Sequence, residues 1–168
     1  DFHVSPSCAP TRSVIMTGKH EFMHGVTHTK YGRNRLPKGL GTIAHEMKRA
    51  QYQTAIFGKW HLGDTQGRFP TDQGFDEWIG LPRSSDRAFW PDSNSFQPDA
   101  HPDIRFAHVM SGRKGEEPKE LEVFDRAKRT VMDREITDNT LDFIERQAAA
   151  AQPFFAFVTY TQTHEPVD

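Results

Sequence analysis

Pro153-Phe154-Phe155-Ala156-Phe157-Val158-Thr159-Tyr160 is an almost unbroken apolar run of strand length, opened by a proline that ends any helix before it. A strand with one wet face alternates polar and apolar residues. A run that is apolar at both parities predicts a strand covered on both faces, as in a sheet packed between helices. Just upstream, Ile136, Thr140, Phe143, Ile144 and Gln147 recur on one face of a helix expected over 133–151. The same order occurs earlier in the chain. Thr42 is the natural N-cap of a helix over 43–50, with Ile43, Met47 and Ala50 at helical spacing, and Thr54-Ala55-Ile56-Phe57 follows as a short buried strand. Helix then strand, twice, predicts an α/β fold with a central sheet covered by helices.

Outward from these units the signals are weaker. Residues 2–5 read as a strand end, and a short helix over 10–16 closes near Gly18. Residues 19–41 read as loop, and 58–118 as a loop-dominated stretch rich in Gly, Pro, Asp, Ser and aromatics. Helical periodicity returns over 121–131. The chain has 168 residues, enough for about one domain. It is polar for such a domain, with 35% hydrophobic and 26% charged residues, so part of the core is expected to lie elsewhere. Both ends also read as cut, at Asp1-Phe2-His3-Val4 and at Glu165-Pro166-Val167-Asp168, and the expectation is a piece of a longer protein. A net charge of −2 argues against a general nucleic-acid binder. No run approaches the roughly 18 apolar residues of a membrane-spanning helix. One cysteine supports neither an internal disulfide nor a Cys-rich zinc site, so if it matters it matters as chemistry.

That cysteine stands in Cys8-Ala9-Pro10-Thr11-Arg12. With Pro10 in a first helical turn, the unpaired N–H groups of the helix start face the entering loop, and Arg12 adds a forked cationic donor. Such a place suits a tetrahedral oxyanion, and it favours the thiolate form of a thiol. A small buried core cysteine is the bland alternative. A cysteine phosphatase or sulfurtransferase loop fits poorly, because only three residues separate Cys8 from Arg12 and one is a proline with no N–H to donate.

The longer pattern Cys8-Ala9-Pro10-Thr11-Arg12-Ser13-Val14-Ile15-Met16-Thr17-Gly18 resembles the signature of the type I, formylglycine-dependent sulfatases, in which Cys-x-Pro-x-Arg is followed by Thr-Gly. A second block similar to that family stands at Gly58-Lys59-Trp60-His61-Leu62-Gly63. A third runs from Pro153-Phe154-Phe155 to Thr163-His164-Glu165-Pro166. The resemblance implies an alkaline-phosphatase-like α/β sandwich with a mostly parallel central sheet flanked by helices, incomplete at both ends. Residues 1–168 would then form part of an arylsulfatase-like catalytic domain acting on a sulfate ester.

By the same resemblance, Cys8 would be oxidised by a formylglycine-generating maturation enzyme and hydrated to a geminal diol. One hydroxyl would attack sulfur and the other would expel sulfate. Arg12 would hold the diol, and Lys59 would pair with a sulfate oxygen and the nucleophile. His61 is expected on the same face as Lys59 in an extended segment and would take the proton when the hemiacetal collapses. His164 would contact the sulfate or the leaving-group oxygen. Trp60 reads as packing. The family also binds a divalent cation, usually Ca2+, with Cys8 as formylglycine among its ligands. The Asp-Asp pair on a first strand and the Asp-Asn or Asp-His pair far downstream that complete that site cannot be placed here, and Asp138-Asn139 reads as exposed helix surface. Little activity is therefore expected of residues 1–168 alone. The implied compartment is periplasmic, secreted or lysosomal, with the cytoplasm open.

Other readings remain. Hydrolases of phosphonate monoesters or phosphodiesters share the Cys8–Arg12 pattern. A non-catalytic, anion-binding remnant would keep Cys8 as a thiol. His20, His24 and His28 recur every four residues, which on a helix would make a zinc-binding face, although Gly25 within that span favours a loop at the pocket rim.

Overall fold

The computed structural model describes residues 3–85, 90, 99 and 105–164. Helices α1 (Cys8–Thr17), α2 (Glu21–His24) and α3 (Ile43–Arg49) precede strand β1 (Gln53–Lys59). A 3-10 turn at Pro70–Gln73 leads to β2 (Glu77–Leu81), and then follow β3 (His108–Arg113), β4 (Lys119–Val123), the long helix α4 (Arg126–Ala149) and β5 (Phe154–Thr159). The sheet order is β4-β3-β2-β1-β5. β1 pairs in parallel with both β2 and β5, while β3 and β4 add an antiparallel flank to β2. The C-terminal ends of β1, β2 and β5 therefore open on one edge of the sheet.

Alternation along β1 sends its side chains to two cores. Ile56 packs with Ala9, Met16, Ala44, Trp60 and Trp78 on the side of α1 and α3. Ala55 and Phe57 pack with Met132, Ile136 and Phe143 on the side of α4. Phe57 and Phe143 meet at 5.7 Å between ring centroids. Each fully buried aromatic of this kind is worth about 1.5–3 kcal/mol. Helices on both faces of the sheet make the expected sandwich. Asp76 ties three elements at the start of β2. Its Oδ2 accepts from Lys48 Nζ of α3 at 2.9 Å, and from the Thr54 amide and hydroxyl of β1 at 2.9 and 3.1 Å.

Thr42 caps α3 as expected, accepting from the His45 amide. Several expectations are corrected. The stretch 58–118 contains β2 and β3. Gly80 interrupts the strand pattern of β2 because it faces the backbone of Gly58, which a Cβ would overlap. Helix 121–131 is replaced by β4 and a helix that starts at Arg126. The Asp125 carboxylate accepts from the Lys128 amide at 2.7 Å and caps that start. Lys119-Glu120-Leu121-Glu122-Val123 alternates with period two, and its charges suit the exposed outer strand it forms. Residues 3–5 are irregular, and Phe2 lies outside the described residues. Residues 154–158 of β5 are half-buried, not fully covered, because β5 ends the sheet and has only β1 beside it among the described strands. No helix of the described residues is long and apolar enough to cross a membrane.

Candidate active site

Cys8 is the first residue of α1, and Ser7 is its N-cap in extended conformation. The helix thus begins two residues earlier than Pro10 suggests, with the half-buried Cys8 side chain at its mouth. Cys8 Sγ lies 3.3 Å from His61 Nδ1. These two residues are 53 apart in sequence, and the contact joins the first two motif blocks at one point.

His61 is 1% exposed and adopts a left-handed backbone, with φ 61°. This corrects the expected extended segment. β1 ends at Lys59, Trp60 N–H donates to Leu81 O at 2.8 Å, and His61 N–H donates to Pro82 O at 3.1 Å. The chain then turns sharply at His61. A non-glycine residue held there stores strain of about 1–3 kcal/mol, a cost that recurs at functional sites. His61 Nε2 stands 3.2 Å from the Thr29 carbonyl, so the ring is held between that acceptor and Cys8. With its N–H on Nε2, the imidazole presents an acceptor lone pair at Nδ1 toward position 8.

Arg12 is held firmly. Its Nε donates to Trp60 O at 2.7 Å and its Nη2 donates to Lys59 O. The guanidinium also lies 5.8 Å from the Phe157 ring centroid. Burial lowers its pKa to about 10, partly offset by the charge of Cys8, so it stays cationic at neutral pH. Two of its five donors are committed to backbone. Arg12 therefore locks the exit of β1 as well as placing a positive charge beside Cys8. Lys59, 5% exposed, sends Nζ to Ser84 Oγ at 2.9 Å, and Thr159 Oγ1 donates to its carbonyl at 2.8 Å. Trp60 is packing: it is fully buried, donates Nε1–H to Arg68 O at 2.9 Å and meets Phe75 edge-on.

Cys8, Arg12 and His61 thus come together at the open ends of the parallel strands, where ligands of such sheets bind, and Lys59 joins them through its backbone carbonyl while its Nζ reaches Ser84. His164, five residues beyond β5, lies past the same edge. Its carbonyl accepts from Arg129 Nη2 at 2.6 Å. Ser84 was not visible beforehand. It is 4% exposed and bonded to Lys59, but it lies in a stretch with no local signal, 25 residues from its partner. Residues 86–89 and 91–98, and Glu165-Pro166 of the third block, lie outside the described residues.

The histidines at 20, 24 and 28 do not share a helix face. His20 caps the four-residue α2 and the helix stops at Gly25, before His28. His24 is engaged at both ring nitrogens, Nδ1 accepting from the Val26 amide and Nε2 meeting Lys19 O. Among the described residues no three His, Cys, Asp or Glu side chains converge on a metal-sized site. The described part of the chain does not by itself fit the Ca2+ site implied by resemblance.

The Sulfatase family model matches residues 1–168. N-acetylgalactosamine-6-sulfatase of Canis lupus familiaris is 32% identical, with 99% of this chain and 32% of the relative covered. Arylsulfatase G of Rattus norvegicus is 27% identical, with 99% and 34% covered. The chain therefore spans about a third of the length of these relatives. Among solved structures, PsFucS1 sulfatase from Pseudoalteromonas sp. superposes with a TM-score of 0.80 at 20% identity, covering 97% of this chain and 35% of that one. A structure of BT4656 with its substrate D-glucosamine-2-N,6-O-disulfate has a TM-score of 0.60 at 22% identity, covering 98% and 26%. The α/β sandwich is thus shared with solved sulfatases, as the alkaline-phosphatase-like expectation required. A family model that spans every residue, with both specific motif blocks meeting at Cys8 and His61, establishes that this chain belongs to the sulfatase family.

Proposed function

We propose that the intact protein containing this chain hydrolyses a sulfate ester, with position 8 as the nucleophile. The observation that carries this reading is the contact of Cys8 with His61 at the mouth of α1, with the Arg12 charge beside Cys8 and the backbone of Lys59 bonded to Arg12. Oxidised to formylglycine and hydrated, position 8 supplies a geminal diol that displaces the alcohol from sulfur and then releases sulfate as the aldehyde re-forms. The rest of the chemistry falls to side chains of this chain. His61 Nδ1, poised at position 8, takes the proton that leaves the second hydroxyl on collapse. Lys59 Nζ, held by Ser84, neutralises a sulfate oxygen, and the Arg12 charge offsets the developing oxyanion. His164 serves the leaving-group oxygen.

Beside Ser84 opens a cavity of about 410 Å³ whose lining includes Phe69, Arg83, Arg105, Phe106 and His108. Its aromatic faces suit the ring of a sulfate ester, beside the Asp64 and Glu120 carboxylates of the same lining, and a carbohydrate sulfate is the favoured class. Relatives that act on sulfated sugars support it too. Sulfur is favoured over a phosphonate or phosphodiester because the relatives are sulfatases. The test is the rate of the intact protein, produced with a formylglycine-generating enzyme, on paired aryl sulfate and aryl phosphonate substrates. Faster sulfate turnover that Cys8→Ala abolishes is expected. Faster phosphonate turnover moves the assignment to phosphorus, and no turnover of either leaves a non-catalytic anion binder.

A further inference from the structure

One stripe of α4 grips the segment that carries His164. Arg129, Asp133 and Thr137 recur every four residues and so share a helix face. Each reaches a different point of the chain leaving β5. Thr137 Oγ1 lies 3.1 Å from the Tyr160 hydroxyl. Asp133 Oδ1 accepts from the Thr161 amide at 2.7 Å and from its hydroxyl at 2.8 Å, while Oδ2 accepts from the Gln162 amide at 3.0 Å. Arg129, 4% exposed, donates to the His164 carbonyl at 2.6 Å. Burying a guanidinium is unfavourable unless its hydrogen bonds are met. α4 does not need this stripe in order to dock, because Met132, Ile136 and Phe143 already seat it on the sheet. The polar stripe acts on the segment beyond the sheet.

We propose that Arg129 and Asp133 are positioning residues that fix the backbone of residues 161–164 and so aim His164 into the active site. This rests on the sulfatase reading above. In physical terms, a segment beyond the last described strand would otherwise sample many backbone states, and a proton donor or hydrogen-bond donor off by an ångström loses much of its effect. Four hydrogen bonds to two charged side chains on a rigid helix remove that freedom.

The test uses the intact, matured protein with Arg129→Gln, Arg129→Lys and Asp133→Asn, each alone and combined with His164→Ala. Turnover of an aryl sulfate and amide hydrogen exchange at Thr161 and Gln162 are the two readouts. Arg129→Gln and Asp133→Asn are expected to lower kcat by about 10- to 100-fold with KM nearly unchanged, and Arg129→Lys to recover part of the loss. In the His164→Ala background the same substitutions should cost less than about twofold, since the group they place is gone. Asp133→Asn should speed exchange of the two amides at least about tenfold. Equal losses in both backgrounds would show a merely structural role and overturn the proposal. A wild-type protein with no sulfate-ester turnover would sink the functional reading instead, and exchange alone would then decide the clamp. Unchanged protection in Asp133→Asn overturns it.

Discussion

At the scale of single residues, the candidate site is organised around the contact of His61 with Cys8. Its left-handed backbone, its burial and its two ring contacts leave the imidazole little freedom. Replacing it removes the proposed base and, because the ring is fully buried, also empties space around it. His61→Ala in the intact protein is expected to lower kcat by about 10²- to 10⁴-fold, with circular dichroism unchanged, as steady-state kinetics would record. An unchanged kcat would remove His61 from the mechanism. The sequence singles out Cys8, Arg12, Lys59 and His61 as candidates because they fall in two short motifs, and the fold brings those motifs into contact. The partners that hold them were not legible there. Ser84 reaches Lys59 from 25 residues away and Thr29 meets His61 from 32 away, and nothing near either residue marks the contact. Arg12 shows the limit from the other side. Its place near Cys8 follows from spacing, but its grip on the backbone of Lys59 and Trp60 follows only from the fold.

At the scale of elements, the junction of β1, β2 and β5 sets the position of Lys59. Gly58 has φ 108° and stands in register with Gly80 and Thr159. A Cβ there would overlap the Thr159 carbonyl, so the close approach of the strands requires glycine. Gly58→Ala should destabilise the protein by at least about 2 kcal/mol in chemical denaturation, and lower activity through displacement of Lys59. A neutral effect would mean that the junction yields easily. Two histidines, His24 buried and His45 half-buried, make a second prediction at this scale. Burial holds His24 below its ordinary pKa of 6.5. Burial, with the nearby charges of Arg49 and Lys114, does the same for His45 in the cap of α3. The unfolded chain then binds the proton at a higher pH than the folded one. Stability is therefore complete above about pH 6.5 and falls as pH drops through that value. Thermal midpoints should decline on acidification across this window, and substitution of both histidines by Gln should flatten that part of the profile. The long elements were readable from their period, as α4 and β5 were. β2, β3 and β4 were not, because each is short and either broken by glycine or exposed at the rim.

At the scale of the whole molecule, helices cover both faces of the sheet, and the first two motif blocks meet just beyond the C-terminal end of β1. The fold class followed from the repeated helix-strand order and from an apolar run at both parities. The antiparallel flank and the half-buried state of β5 did not, since strand order and strand position are long-range properties. The sandwich supplies the frame, and the proposed chemistry lies at position 8. The most direct measurement is mass spectrometry of the peptide spanning Ser7–Arg12 from the intact protein made alongside a formylglycine-generating enzyme. The account predicts an aldehyde at position 8 that reacts with hydrazides. A free thiol there, fully alkylated by iodoacetamide, would contradict it.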